Sequence, residues 1–111
     1  MEQALTATFT KQEHIQTNEL QLHRLERNLR DIAQLYAKLC SYMCEPRTYD
    51  QFMRLDELKE DALILRNSNK SISQKLRQEP NASARCYRLF LNYIQGFDTF
   101  VNEVDGYVKT V

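Results

Sequence analysis

Three cysteines and two histidines are the residues of this chain best suited to hold a metal ion or to serve as a nucleophile and its base. Cys40 and Cys44 are one helical turn apart, a spacing that suits two zinc ligands, but a structural zinc site needs four. Cys86, His14 and His23 lie far from this pair along the chain. We therefore expect no metal site, and we expect the cysteines to be small buried side chains.

A cluster of carboxylates is the other group with catalytic potential. It consists of Asp56, Glu57, Glu60 and Asp61. Arg54 and Lys59 are interspersed with it, which is typical of a solvated helix face. The chain has no glycine-rich phosphate loop, no HExxH and no GxSxG motif. The sequence therefore predicts a protein that is not an enzyme, with no catalytic residues and no cofactor.

The elements that carry these residues are predicted to be helices. The chain has 111 residues but only two glycines and two prolines, too few for a loop-rich or all-β protein. Pro46 and Pro80 divide it into three parts, because the residue before a proline avoids the α region. The sequence has no signal-peptide pattern and no apolar run long enough to cross a membrane.

The first helix is expected over about residues 10–44, after a flexible segment 1–9. Thr10 and Glu13 form a capping box at its start. Apolar residues then recur at the a and d positions of a heptad, the pattern by which helices pack along a seam. These seam residues are Ile15, Leu22, Leu25, Leu29, Ile32, Tyr36, Leu39 and Met43, with Asn18 interrupting the d series. The flanking positions Gln21 and Asn28 are polar.

The second helix is expected over about residues 49–79, with a capping box at Thr48 and Gln51. Its seam residues are Leu55, Leu58, Ala62, Leu65, Asn69, Ile72 and Leu76. Residues 66–73 include poor helix formers. We still expect one continuous helix, because Ile72 and Leu76 stay in phase with Leu65.

The third helix is expected over about residues 82–110 and has the strongest pattern. Apolar residues follow one another three and four apart, with a second apolar edge beside them. The first set is Tyr87, Phe90, Ile94, Phe97, Val101, Val104, Val108 and Val111; the second is Cys86, Tyr93, Phe100 and Tyr107.

Three long helices joined by short turns predict an all-α fold: one up-down-up antiparallel three-helix bundle of residues 10–111 with coiled-coil-like heptad packing. Antiparallel pairing about Pro46 places Leu25 beside Asn69 and Asn18 near Leu76. A buried asparagine fixes helix register at a cost in stability. We expect Asn18 and Asn69 either to do this or, our preferred interpretation, to mark a partly solvated end that opens.

Apolar residues outside the seam indicate a surface for a partner. Met53 and Ile64 are eleven residues apart and share one stripe of the second helix, with Leu63 next to it. Leu20 is off the seam of the first helix. These four are the predicted partner-binding residues.

Charge is balanced, with fifteen basic and fifteen acidic residues. The three parts separated by the prolines are each close to neutral, so we expect shape and apolar surface to matter more than charge. A local basic patch is nevertheless a candidate site. Its members are Arg24, Arg27, Arg30, Arg66, Lys70, Lys75 and Arg77.

These features favour an intracellular, cytoplasmic module that binds other proteins by helix docking, as a small scaffold or adaptor or as a subunit of a coiled-coil assembly. The alternative is a cytoskeleton- or nucleic-acid-associated structural protein acting through the basic patch, although zero net charge argues against nucleic acid. Self-association through the seam of the first helix is a third hypothesis. The odd number of cysteines suits a reducing compartment.

Overall fold

The computed structural model describes the backbone of residues 2–78 and 84–111, and the side chains within that range from residue 18 onward. Its helices are α1 (Glu2–Leu39), α2 (Tyr49–Gln78) and α3 (Ala84–Thr110), with a short 3-10 helix at Tyr42–Cys44. The described residues contain no β-strand. The predicted all-α class is confirmed.

The three helices form one elongated bundle, with principal extents of 65 × 26 × 18 Å. The middle helix, α2, packs along both of its neighbours, whereas α1 and α3 meet over less of their length. The Asn69 side chain donates a hydrogen bond to the backbone oxygen of Leu25 at 2.8 Å, which fixes the level at which α1 and α2 pass each other. The predicted up-down-up order and the pairing of Leu25 with Asn69 are both confirmed.

The ends of α1 differ from the prediction. The helix begins at Glu2 and not near Thr10, because residues 2–9 contain no glycine or proline to interrupt it. The side chains of the proposed capping box lie outside the described residues. Whether residues 1–9 form a flexible segment stays a prediction.

The other end of α1 is at Leu39, five residues before the predicted end. The Ser41 hydroxyl donates to the Lys38 oxygen at 2.6 Å, and Ser41 itself is extended. Glu45 is also held outside the helical region, at φ −59° and ψ 126°, as expected for the residue before Pro46. Residues 42–44 therefore fit only a single 3-10 turn.

The remaining helix boundaries agree with the sequence pattern where they can be compared. The Thr48 hydroxyl accepts a hydrogen bond from the Gln51 amide at 3.1 Å, as in a capping box, while the Gln51 side chain accepts from the Arg47 amide at 2.8 Å. The second helix is continuous through residues 66–73, as predicted. The predicted end at residue 79 and start at residue 82 lie outside the described residues.

The core is rotated relative to the predicted seam. In α1 the d-position residues Leu25, Ile32 and Leu39 are fully buried, but Leu22, Leu29 and Tyr36 at the a positions are only partly buried. The buried residues beside this d series are Gln21 and Asn28, each one residue before the a positions Leu22 and Leu29. In α3 the second edge is buried as well, whereas Tyr87 is exposed. With two neighbours each helix buries a wider stripe than a two-stranded seam. Met43 and Tyr87 were wrongly assigned to the core, Met43 because it lies beyond the end of α1.

Candidate functional site

The most exposed apolar surface lies at the end of the bundle where α1 turns into α2. Tyr42 is 85% exposed, Met43 80%, Tyr49 75% and Phe52 55%. We call these four residues the apolar tip. Tyr42 and Met43 line one surface groove with Pro46 and Val111. Aromatic residues and methionine are enriched in protein interfaces, which makes this end of the bundle a candidate binding surface.

Two residues of the apolar tip, Tyr42 and Met43, lie in a loop that is tied to the bundle, and the other two lie at the start of α2. The Tyr107 hydroxyl of α3 donates to the backbone oxygen of Cys44 at 2.8 Å, and both residues are buried. Gln51 donates through its side chain to the backbone oxygen of Thr110 at 3.1 Å. Burial raises the pKa of Tyr107, and the neighbouring Cys44 raises it further by a smaller amount. The hydroxyl therefore remains a neutral donor at physiological pH. A fixed loop presents its side chains with little ordering cost on binding.

Sequence reasoning missed this surface. Heptad counting placed Met43 in the seam, because the helix was expected to continue to residue 44. The signal that could have located it is the density of large apolar residues, from Tyr42 to Met53, on both sides of the break that Pro46 imposes.

The four residues predicted to bind a partner are all exposed. Met53 and Ile64 share one outward stripe of α2, while Leu63 lies about 100° from Ile64 around the helix, on the side of α1. Leu20 is on α1 and about 15 Å from Ile64 along the bundle, given the level fixed by Leu25 and Asn69. Met53 is itself about 16 Å from Ile64 along α2, so the structure places three of the four on one helix but does not gather the four into one patch.

A second feature is a set of polar side chains inside the opposite half of the bundle. Asn69 is 1% exposed and donates from one nitrogen to two acceptors, the Leu25 oxygen in α1 and the Tyr93 hydroxyl in α3, each at 2.8 Å. The Ser73 hydroxyl approaches the Asn69 oxygen at 3.5 Å. Asn28 also acts on the Tyr93 hydroxyl through a hydrogen bond. We call Asn28, Asn69 and Tyr93 the amide layer; it links all three helices.

Burial raises the pKa of Tyr93, and this outweighs the lowering caused by the hydrogen bonds from Asn69 and Asn28; Asp31 adds to the increase. Tyr93 therefore stays neutral and keeps its place in the layer. Gln21, one turn before Leu25, is also buried, and its side-chain oxygen has no hydrogen-bond partner within the described part of the chain. An unpartnered buried oxygen costs stability.

The expectation that Asn18 and Asn69 are solvated is wrong, whereas the opening of this end stays a prediction. Both are buried, and Asn69 has partners for its amide nitrogen and oxygen. The sequence placed Asn69 correctly in the core but gave no reason to expect Tyr93 as its partner, and it assigned Gln21 and Asn28 to the flanks.

Basic and acidic residues are equal in number along the chain, but the fold concentrates them in different halves of the bundle. Residues 18–30, 66–78 and 84–97, which we call the amide half, contain nine basic and two acidic residues. Residues 31–65 and 98–111, the loop half, contain five basic and ten acidic residues. The expectation that charge would matter little rested on sums over whole segments, and each segment runs through both halves.

The seven residues of the predicted basic patch are all exposed, but they do not form one surface. Lys70 and Arg77 border the groove between α1 and α2, while Lys75 borders the groove between α2 and α3. Arg77 also forms an ion pair with Glu26 at 3.6 Å. Arg24, Arg27 and Arg30 turn progressively around α1, since each step of three residues moves about 60° across its surface.

The cysteines do not all have the expected burial, and the side chain of His14 lies outside the described residues. Cys44 and Cys86 are buried as expected, but Cys40 is exposed because α1 ends just before it. Among the described residues no three His, Cys, Asp or Glu side chains are grouped so as to hold a metal ion. No helix in the described range has the length and apolar character needed to cross a membrane.

Fold and surface together define a three-helix bundle with an apolar tip, an amide layer and separated charge. Comparison with protein-family models, with curated proteins and with solved structures found no match for this chain.

Proposed function

We propose that this chain is a non-enzymatic helical interaction module that binds a partner protein through the apolar tip. The observation that carries the proposal is the exposure of Tyr42 and Met43 on a loop fixed by the Tyr107–Cys44 hydrogen bond, and of Tyr49 and Phe52 at the start of α2. Large apolar side chains on a rigid support lose little conformational freedom on binding and give much buried area.

The partner surface that fits the tip is apolar with a basic rim. The loop half as a whole carries five basic and ten acidic residues, and Glu45 and Arg47 both lie beside Tyr42 and Met43, so a partner with lysine or arginine at its periphery gains favourable electrostatics from the wider surface. A scaffold, an adaptor and a subunit of a larger helical assembly would all use such a surface. The odd number of cysteines favours a reducing, intracellular location.

The test compares three forms of the tagged full chain in its native cells. The first is the wild type, the second Tyr42→Ser/Met43→Ser, and the third a matched control, Gln95→Ser/Asn102→Ser, at exposed positions of α3. We expect the tip variant to lose a retained protein by about tenfold or more, while the control keeps it. Equal retention by all three, with unchanged thermal unfolding, would contradict the role of the tip.

The concentration of positive charge in the amide half supports a second candidate, binding to a polyanion such as nucleic acid or the acidic surface of a cytoskeletal filament. Arg85 and Arg88 at the start of α3 join the predicted basic residues there. Such binding to duplex DNA would weaken by orders of magnitude between about 50 and 200 mM salt, and Arg85→Glu/Arg88→Glu would reduce it at every salt concentration. No binding at the lower salt concentration removes this candidate.

A further inference from the structure

The side of the bundle between α1 and α3 is its most open side, because these two helices meet over less of their length than either does with α2. Two large apolar side chains of α3 are exposed, Tyr87 at 41% and Leu91 at 46%. Each is two residues from Leu89, which borders the groove with α2, and therefore about 160° around α3 from it. Both lie within about 60° of the buried Ile94, so they flank the gap between α1 and α3. We call Tyr87 and Leu91 the α3 pair.

Two arginines of α1 face the same gap. Asn28 and Asp31 both act on the Tyr93 side chain of α3, so they mark the side of α1 that faces α3. Arg24 is four residues before Asn28, and Arg27 is four residues before Asp31, which places each arginine one turn away on this side. Because Asn28 is level with Tyr93 and the two helices run in the same direction, Arg24 is level with the α3 pair.

The charged residues around the α3 pair are all basic. Arg88 follows Tyr87 on α3, and none of Arg24, Arg27 and Arg88 takes part in an ion pair with another described residue. The two acidic residues of the amide half lie on the other side of α1, since Glu26 forms its ion pair with α2 and Glu19 is two turns before it on the same line. We call the α3 pair and these three arginines the arginine edge.

The basic stretch ends two turns further along the gap. Asp31 is seven residues after Arg24, and Asp98 is seven residues after Leu91, so both carboxylates lie in line with the arginine edge. From Tyr87 to the level of these carboxylates is about ten residues, or roughly 15 Å. A long polyanion laid along the gap would meet both carboxylates, whereas a helix of about three turns fits within the basic stretch.

We propose that the arginine edge binds a short, acidic, amphipathic helix of a partner protein, which packs in the gap between α1 and α3 as a fourth helix. Its apolar residues cover the α3 pair, whose spacing of four residues forms one ridge of the helix surface. Its carboxylates, on either side of that apolar face, reach Arg24 and Arg27 on α1 and Arg88 on α3. A helix suits this gap because its backbone hydrogen bonds are satisfied internally when its apolar face is buried.

The test uses the full chain and a fluorescent peptide of about fourteen residues, with leucines three and four apart on one face and glutamates on either side of them. Fluorescence anisotropy at about 150 mM salt measures binding, and we expect dissociation at roughly 10 μM for so small an interface. A second peptide has the same composition but scattered leucines and therefore no apolar face. We expect it to bind at least about tenfold more weakly.

Two variants with the same change in charge separate a defined site from general attraction. Arg24→Glu/Arg88→Glu alters the arginine edge, whereas Lys38→Glu/Lys59→Glu alters two lysines of the loop half. We expect the first to weaken peptide binding by about tenfold or more. The second should weaken it by less than about threefold, because both lysines are farther from the edge than a Debye length of about 8 Å.

A third variant tests the apolar contact. Leu91→Ser should weaken peptide binding by about fivefold, because it removes an exposed apolar side chain that the peptide covers. Its matched control is Asn102→Ser, at an exposed position of α3 in the loop half, which should keep the wild-type dissociation constant. All variants change exposed or half-exposed side chains, and unchanged thermal unfolding confirms that each is folded.

Four results would overturn the proposal. One is no binding of the first peptide at about 0.5 mM protein, and another is equally tight binding of both peptides. The third is equal weakening by the two charge variants. The last concerns duplex DNA, since Arg88 also belongs to the second candidate function: DNA binding that needs Arg24 and Arg88, with no effect of Leu91→Ser on either ligand, would assign the edge to nucleic acid. The apolar tip is in the other half of the bundle and takes no part in this assay, so failure of either proposal can be recognised separately.

Discussion

The two halves of the bundle are built from the same three helices but differ in what lies inside them. In the loop half, α1 contributes Ile32 and Leu39 to the core, and α2 contributes Leu55, Leu58 and Ala62. In the amide half, α2 and α3 bury apolar residues as they do in the loop half, but three of the four buried α1 side chains are amides, namely Asn18, Gln21 and Asn28. Apolar burial stabilises by about 1.5–3 kcal/mol for a large side chain, whereas a buried hydrogen bond contributes about 1 kcal/mol net. The loop half should therefore be the more stable one.

The surfaces of the two halves differ as well, which suggests that one half binds a partner and the other sets the alignment of the helices. The loop half is acidic and carries the apolar tip, while the amide half is basic and fixes how the helices align. Asn69 can satisfy both Leu25 and Tyr93 only when the helices are in this register. The comparison teaches that a rigid, apolar core can support an exposed binding surface while polar contacts elsewhere specify the fold.

The largest expected effect comes from deleting matched leucines of α2. Leu58 and Leu76 are both at most 2% exposed, one in each half. We expect Leu58→Ala to lower the free energy of unfolding by about 3–4 kcal/mol and Leu76→Ala by about 2 kcal/mol, because the end of the helix can relax around the smaller side chain. Urea denaturation measures both. Equal losses of unfolding free energy would contradict the expected difference in stability between the two halves.

Removal of the central amide should have the next largest effect. Asn69→Ala removes the hydrogen bonds to the Tyr93 hydroxyl and the Leu25 oxygen and creates a small cavity, so we expect a loss of about 2 kcal/mol. Its exposed neighbour gives the control, since Asn67→Ala should change stability by less than about 0.5 kcal/mol. If the two variants unfold at the same urea concentration, the amide layer does not stabilise this half.

The raised pKa of Tyr93 in the amide layer predicts that the free energy of unfolding depends on pH in the alkaline range. The folded state raises the pKa of Tyr93, so the unfolded tyrosine ionises first, and stability from this residue is complete below about pH 10 and lost as the pH rises above it. At pH 7 we expect Tyr93→Phe to be about 1 kcal/mol less stable than the wild type. Above pH 10 that difference should shrink. A difference that stays constant would mean that Tyr93 has an ordinary pKa when folded.

The smallest effect should have the opposite sign. Gln21→Leu replaces a buried oxygen that has no partner in the described structure with an apolar group of similar volume. We expect a gain of up to about 1 kcal/mol in the free energy of unfolding. A loss of that size would show that the Gln21 oxygen has a partner after all, such as a buried water molecule.

Much of the fold could be predicted because heptad spacing and two prolines act locally. The positions of the helices, the continuity of α2 and the pairing of Leu25 with Asn69 follow from spacing along single helices. The rotation of the core could not be predicted this way, since it depends on where the third helix lies. Gln21 and Asn28 are buried because α1 has two neighbours, and a heptad pattern describes only one.

The candidate sites were predicted less well, for related reasons. Met53, Leu63 and Ile64 were found because an apolar residue on a polar face is visible in the sequence. Tyr42 and Met43 were missed because their exposure depends on where α1 ends, and that end is set by Ser41 and Pro46 rather than by the apolar pattern. Separation of charge emerged only when the three segments were folded back on one another.

Native-state hydrogen exchange along α2 tests the difference between the two halves most directly, because this one helix passes through both. Amides around Leu58 and Ala62 should exchange only with the free energy of global unfolding. Amides around Ile72 and Leu76 should exchange through a local opening that costs at least about 1–2 kcal/mol less. The same free energy of exchange along the whole of α2 would contradict the distinction between a stable loop half and a more easily opened amide half.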